Sequence, residues 1–299
     1  MFLKIIKPWI VSFRLRTLPL SASCIVMGSF LAAWTGKFDT VVFILALVTT
    51  ILLQILSNIS NEYGDMVKGT DSESRVGPER SIQKGDITLH QMKRMIIVIV
   101  IITAVSGVSL VLYATRSYYT IIFIVAGGSA IVAAIKYTVG RNPYGYMALG
   151  DPFVFIFFGP VGVLGTFFLH TGLLRYDIFL PSITAGLLSV AVLNLNNMRD
   201  TVNDLEYGKI TLASVMGIKY SRIYHAVILL AAVVSSVTFA FMNSLPLIRF
   251  FYTIAFIPLV IDLRKVFTYK NHAELDSELK IVAISNFLHS LFLGAALLV

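Results

Sequence analysis

Runs of about twenty apolar residues alternate with short charged segments along the whole chain. Stretches free of Lys, Arg, Asp and Glu cover Thr17–Gly36, Thr40–Asn61, Met95–Thr115, Ser117–Ile135, Pro152–Leu174, Ile178–Met198, Ile223–Ile248 and Ile281–Val299. Each is long enough to cross a hydrocarbon core as a helix. A ninth span, about Leu247–Val266, follows the turn signal Asn243-Ser244-Leu245-Pro246 and carries Arg249 near one end, where a long side chain reaches the interface. The two-residue alternation of a membrane barrel is absent. The pattern predicts an all-α integral membrane protein with nine transmembrane helices, residues 1–299 forming a single polytopic domain. The first span is too long for the apolar region of a cleaved signal peptide and is expected to remain as the first helix.

Composition agrees with this reading. Apolar residues make up 57% of the chain and charged residues 13%, against about 25% charged in soluble domains. Too little polar surface remains to coat a soluble enzyme of this size. The net charge of +8 is spread thinly between apolar runs, which argues against nucleic acid and for the positive-inside rule. With the N-terminus in the cytoplasm, twenty of the 24 Lys and Arg fall on the inner side. Lys37, Arg116, Arg175 and Arg249 fall outside, one per loop. The lone cysteine, Cys24, excludes an intrachain disulfide and reads as a small core residue.

The acids are not spread evenly. Nine of the 16 lie in two inner-side segments: Glu62, Asp65, Asp71, Glu73, Glu79 and Asp86 after the second span, and Asp200, Asp204 and Glu206 after the sixth. Asn58 and Asn61 open the first cluster; Asn194, Asn196 and Asn197 open the second. Asn61 and Asp65 stand four residues apart, and Asn196, Asp200 and Asp204 repeat that step, so each set shares a helix face. Unpaired carboxylates at a membrane boundary are costly and call for cations. Oxygen ligands suit a hard ion such as Mg²⁺, which takes one or two carboxylates together with substrate phosphates. Zinc is disfavoured: His90, His170, His225, His272 and His289 are scattered, with no His-x-x-x-His pair. Lys68, Arg75, Arg80 and Lys84 follow the first cluster among glycines, and Lys209, Lys219 and Arg222 follow the second. Carboxylate stripes beside Gly-spaced cations describe a site for Mg²⁺ and a di- or triphosphate.

Between the fourth and fifth spans, Tyr137, Tyr144 and Tyr146 share a short loop with Lys136 and Arg141, ahead of Gly150-Asp151-Pro152. Aromatic faces stabilise positive charge, so this segment could line a place where such charge develops; an interfacial aromatic belt accounts for it equally well. Gly159, Gly162 and Gly165 further along suit close helix contact.

Asn61-Glu62-Tyr63-Gly64-Asp65-Met66-Val67-Lys68-Gly69-Thr70-Asp71 resembles the first Asp-rich motif of the UbiA-type intramembrane aromatic prenyltransferases, and Asn196-Asn197-Met198-Arg199-Asp200-Thr201-Val202-Asn203-Asp204 resembles the second. Arg14 with Thr17-Leu18-Pro19, Arg75-Val76-Gly77-Pro78, Tyr137 to Tyr146, Gly150-Asp151 and Glu278-Leu279-Lys280 are similar to the branch that acts on 1,4-dihydroxy-2-naphthoate in menaquinone biosynthesis. Glu62 stands where the family usually has Asp, Gly69 where the wider superfamily often has Asp, and the second motif begins with Asn.

The resemblance implies nine helices around a central cavity, Mg²⁺ as cofactor, and transfer of a polyprenyl group from polyprenyl diphosphate to 1,4-dihydroxy-2-naphthoate with loss of the carboxylate, giving demethylmenaquinone. It implies metal ligands at Asn61, Asp65, Asp71, Asn197, Asp200 and Asp204, the four aspartates being catalytic. Lys68, Arg75, Arg80, Arg141 and Lys209 become candidates to hold the diphosphate, and Tyr137, Tyr144 and Asp151 to hold the acceptor. The prenyl tail would stay in the bilayer of a bacterial inner membrane, with the N-terminus and site loops cytoplasmic. A different aromatic acceptor, such as 4-hydroxybenzoate or homogentisate, is the alternative. A secondary transporter would place its acids near the midplane on broken, inverted-repeat helices; here they gather at one face.

Overall fold

The computed structural model describes residues 2–70, 76–77, 80–116 and 118–299, with the backbone alone at positions 2–5. Its helices are α1 (Phe2–Phe13), α2 (Leu18–Trp34), α3 (Thr40–Lys68), α4 (Leu89–Ala114), α5 (Tyr118–Lys136), α6 (Gly150–Ile156), α7 (Gly165–Thr171), α8 (Phe179–Glu206), α9 (Leu212–Met242), α10 (Ile257–Thr268) and α11 (Leu275–Leu298). Among the described residues the sole β feature is an isolated parallel bridge between Met147 and Ile210. A π-helical stretch, Phe157–Leu164, joins α6 to α7, so that Gly150–Thr171 runs as one element. Pro160 lies inside it; its missing N–H and its ring favour a widened turn over a regular one.

Eight helices among the described residues are long and apolar enough to span a membrane. The ninth expected span is built in two parts: a 3₁₀ helix, Leu247–Phe256, and then α10. Pro258 sits in the first turn of α10, where a missing N–H costs nothing and a new helix can begin. Local signals set the other boundaries. Asp39 caps α3 by accepting from the amides of Val41 and Val42. Thr88 and Gln91 form a capping box on α4. Gly69, at φ 77°, closes α3 in the left-handed conformation just beyond Asp65.

The long helix α8 occupies the centre. It packs on α9, α11 and the π-helical stretch, while α2 packs on α11, and α4 and α5 flank α3. The backbones of the π stretch and α8 touch: a Cβ on Gly159 would meet the Ser182 carbonyl at 2.7 Å. Gly162 is equally tight against the buried Cys24, whereas Gly165 has ordinary room. Ile97, Ile101 and Val105 on α4, with Ile121, Val125 and Val132 on α5, point outward. In a soluble protein such a surface would be a liability; against lipid tails it is the required one. The chain is an integral membrane protein.

The packing brings five segments to one end of the bundle: the last turns of α3 and α8, the first turn of α11, the elbow between α1 and α2, and the loop from 137 to 149. Arg14 makes the elbow, in the left-handed region at φ 48°. The Met147–Ile210 bridge, with the Ala148 amide donating to the Ile210 carbonyl at 2.9 Å, pins the tyrosine loop to the turn between α8 and α9.

Candidate active site

At that end, Asn61 and Asp65 of α3 face Asn196, Asp200, Asn203 and Asp204 of α8 across one cavity. Arg14, Thr70, Arg80, Tyr137 and Lys209 complete its wall. It encloses about 390 Å³ of empty space, part of it open to solvent. The tips are tied directly: the Asn203 side-chain amide donates to the Thr70 carbonyl at 2.9 Å.

Each carboxylate faces cations or hydroxyls. Asp65 accepts from Arg80 Nη2 at 2.9 Å and from the Tyr146 hydroxyl at 2.8 Å. The Tyr146 hydroxyl also lies 2.7 Å from Thr70 Oγ1. Lys68 and Lys209 sit over the Tyr146 ring, 4.9 and 5.7 Å from its centroid. Lys209 Nζ is 3.4 Å from Asp204 Oδ1. Arg199, buried on α8, grips both oxygens of Asp200 at 2.8 and 2.7 Å. Thus Tyr146, predicted only as part of an aromatic loop, joins Asp65 to Lys68 and to Lys209, and Lys209 in turn reaches Asp204.

The loop groups hold definite protonation states. Burial works against the Lys209 ammonium, but the Asp65 and Asp204 carboxylates outweigh it and raise its pKa above the ordinary lysine value. The Tyr146 phenol is pushed up by burial and then by the Asp65 charge, so it remains a donor. Tyr137 is raised the same way, by burial and by Asp151, Asp204 and Asp65.

Some expected residues fall elsewhere. Asn58 donates to the Phe13 carbonyl at 2.9 Å and to Thr17 Oγ1 at 3.0 Å, fastening the elbow rather than lining the cavity. Glu62 accepts from the Ile82 amide at 2.9 Å and organises the following loop. Asn197 is buried on α8 outside the cavity wall. Arg141 is exposed and also outside it. Tyr144 stacks on Phe153 and lies edge-on to Tyr137. Asp151 accepts from the Tyr224 hydroxyl at 2.9 Å, behind Tyr137. Asp71 and Arg75 lie outside the described residues. Thr70, Asn203 and Arg199 were missed by the sequence reading. For Asn203 a signal existed, because it stands seven residues from Asn196 and so shares its face.

The donor set fits a hard cation. The side-chain donors opposite one another are carboxylate and amide oxygens, and the buried Asp204 Oδ2 accepts no hydrogen bond. Among the described residues no three acidic, His or Cys side chains form a ready-made metal cage. Carboxylate and amide oxygens are the donors Mg²⁺ takes, water and phosphate oxygens completing its shell.

Fold and site define a polytopic helical membrane protein with an oxygen- and cation-lined pocket at one end of its bundle. The chain belongs to the UbiA prenyltransferase family, which it matches over residues 21–291; it is a prenyltransferase. It is 47% identical to the 1,4-dihydroxy-2-naphthoate octaprenyltransferase of Escherichia coli (strain K12), covering 76% of this chain and 74% of that one. It is 43% identical to the Haemophilus influenzae protein of the same name, covering 84% and 82%. Its fold is that of a UbiA homolog from Archaeoglobus fulgidus solved bound to DMAPP and Mg²⁺, with a TM-score of 0.61, 14% identity, and coverage of 98% and 99%.

Proposed function

We propose that this protein transfers a polyprenyl group from polyprenyl diphosphate to 1,4-dihydroxy-2-naphthoate, at the cytoplasmic side of a bacterial inner membrane. The observation that carries the reading is the meeting of both Asn/Asp-bearing tips, with Arg14, Arg80 and Lys209, in one cavity. The relatives named for this acceptor support the acceptor's identity, and the family fold in a homolog bound to DMAPP and Mg²⁺ supports the metal. The distribution of Lys and Arg supports the orientation.

Asn61, Asp65, Asp200 and Asp204 would hold Mg²⁺, joined by Asn196 and, on the motif resemblance, Asp71. Bound there with the diphosphate, the ion would supply charge shielding for the leaving oxygen. Lys209, Arg80 and Arg14 face the same charge from the wall; being fixed in place, they need not reorganise as the allylic C–O bond breaks. The prenyl tail is apolar, so it would stay in the bilayer while the diphosphate meets the polar wall. The ring carbon bearing the carboxylate attacks the allylic carbon. The C–O bonding pair leaves with diphosphate before or as that bond forms, and carbon dioxide then leaves, returning its own bonding pair to the ring. No oxidant enters, so the product leaves in its dihydroxy form. Tyr137, on the cavity wall with a hydroxyl kept protonated, would orient the acceptor, with Tyr144 and Asp151 supporting it.

The test is an acceptor panel with purified protein, one polyprenyl diphosphate and mass detection. Prenylated, decarboxylated naphthalenediol from the naphthoate alone is the expected result. Equal turnover of 4-hydroxybenzoate or homogentisate overturns the acceptor assignment.

A further inference from the structure

The Arg199 guanidinium is 1% exposed, and all three of its nitrogens are committed. Nε and Nη2 hold the two oxygens of Asp200, Nη2 also donates to Asn196 Oδ1 at 2.9 Å, and Nη1 donates to Asp276 Oδ1 at 2.6 Å. Asp276, in the first turn of α11 and 35% exposed, accepts from Arg16 Nη1 on its other oxygen at 2.9 Å. A chain of alternating charge therefore runs Arg16–Asp276–Arg199–Asp200, from the α1–α2 elbow across α11 to the cavity wall.

Asp200 cannot give its oxygens fully to a metal while Arg199 grips both. Releasing them would strand a buried guanidinium, which is strongly unfavourable unless another anion remains on it. Asp276 is that anion. We propose that Asp276 is a positioning residue: by holding Arg199, it sets how readily Asp200 passes from arginine to a magnesium-bound diphosphate. Arg16 draws on the same carboxylate, so it opposes that transfer. This inference rests on the reading that the cavity takes magnesium and a diphosphate, and extends it to a residue outside the cavity wall.

The opposite action of the two neighbours makes the test. Pyrophosphate binding to the full-length protein in detergent is measured by titration calorimetry at fixed Mg²⁺, with thermal melts as the folding control. Asp276→Asn is expected to weaken binding about tenfold, the size of one charge-assisted hydrogen bond. Asp276→Glu restores it to within about threefold of native, and Arg16→Gln binds as tightly as native or tighter. Binding by Asp276→Asn within about twofold of native overturns the inference. So does a loss in Arg16→Gln equal to that in Asp276→Asn, which would reveal mere scaffolding. If Asp276→Asn does not fold, Arg16→Gln decides alone: native or tighter binding supports the relay, and weaker binding overturns it. Absence of Mg²⁺-dependent pyrophosphate binding in the native protein overturns the reading of the site together with the inference.

Discussion

Asn203 and Thr70 join the two halves of the site: the amide of one donates to the backbone carbonyl of the other at 2.9 Å, across 133 residues of sequence. Both are buried, so the bond is an internal one whose loss leaves a carbonyl unsatisfied. Asn203→Ala is expected to cost about 1–3 kcal/mol of stability. It should also loosen the spacing of the tips, raising the Mg²⁺ concentration for half-maximal turnover more than it lowers kcat. A melt combined with a Mg²⁺ titration of activity checks both; an unchanged Mg²⁺ requirement would mean the tips are held by other contacts.

Substitution at Asp65 must respect its buried pairing with Arg80. Asp65→Ala breaks a buried ion pair with Arg80, at a cost of up to about 3–5 kcal/mol, and so confounds folding with chemistry. Asp65→Asn keeps the shape and an acceptor oxygen for Arg80 while removing the charge, and its NH2 can donate to the Tyr146 hydroxyl in place of accepting from it. It is expected to insert normally and to lose at least about 100-fold in kcat, and Asp200→Asn should do the same. Near-native turnover in both variants, with Mg²⁺ present, would remove these aspartates from the reaction.

This pairing also marks how far the sequence reaches. The spans, and the face shared by Asn61 with Asp65 and by Asn196 with Asp200 and Asp204, follow from helical spacing alone. The split of the ninth span was hidden because hydropathy sees only that Leu247–Val266 is apolar, not that Pro258 restarts the helix. Asn58 and Glu62 share the composition of a site yet serve the elbow and the following loop; only contacts distinguish the two uses. Arg199 and Asp276 were silent because their meaning lies in a pairing 77 residues apart, and nothing local announces it. Tyr146 read as one aromatic among three, since its partners Asp65, Lys68 and Lys209 come from other segments.

Tyr146 offers a separable test. Tyr146→Phe removes the hydroxyl bonded to Asp65 and Thr70 but keeps the ring beneath Lys68 and Lys209. One hydrogen bond to a carboxylate is worth about 1.5–3 kcal/mol, so kcat/KM should fall roughly 10- to 100-fold. Tyr146→Ala loses the ring as well and should fall further. If Phe and Ala behave alike, the ring contributes nothing to holding the lysines.

Removing the metal should be decisive and selective. EDTA is expected to abolish transfer, and added Mg²⁺ to restore it fully, because the donors are oxygens. Zn²⁺ at equal concentration should restore little, for want of His or Cys ligands. Full activity in EDTA would rule out the metal role of both stripes.

The state of Lys209 gives a pH prediction whose sign is fixed by its surroundings. Its ordinary pKa is about 10.5, and Asp65 and Asp204 raise it despite burial. A raised folded value means the stabilisation is fully present below about 10.5 and is lost only as pH climbs through the higher folded value. Between about pH 7 and 9.5, then, the lysine stays an ammonium and neither stability nor diphosphate affinity should change on its account. Lys209→Gln should weaken pyrophosphate binding by a constant factor across that window, and Lys209→Arg should recover most of it. A native alkaline limb near pH 8.5 that vanishes in Lys209→Arg would show that the carboxylates do not hold the proton, and with it would fall the assignment of Lys209 as a fixed cation facing the leaving group.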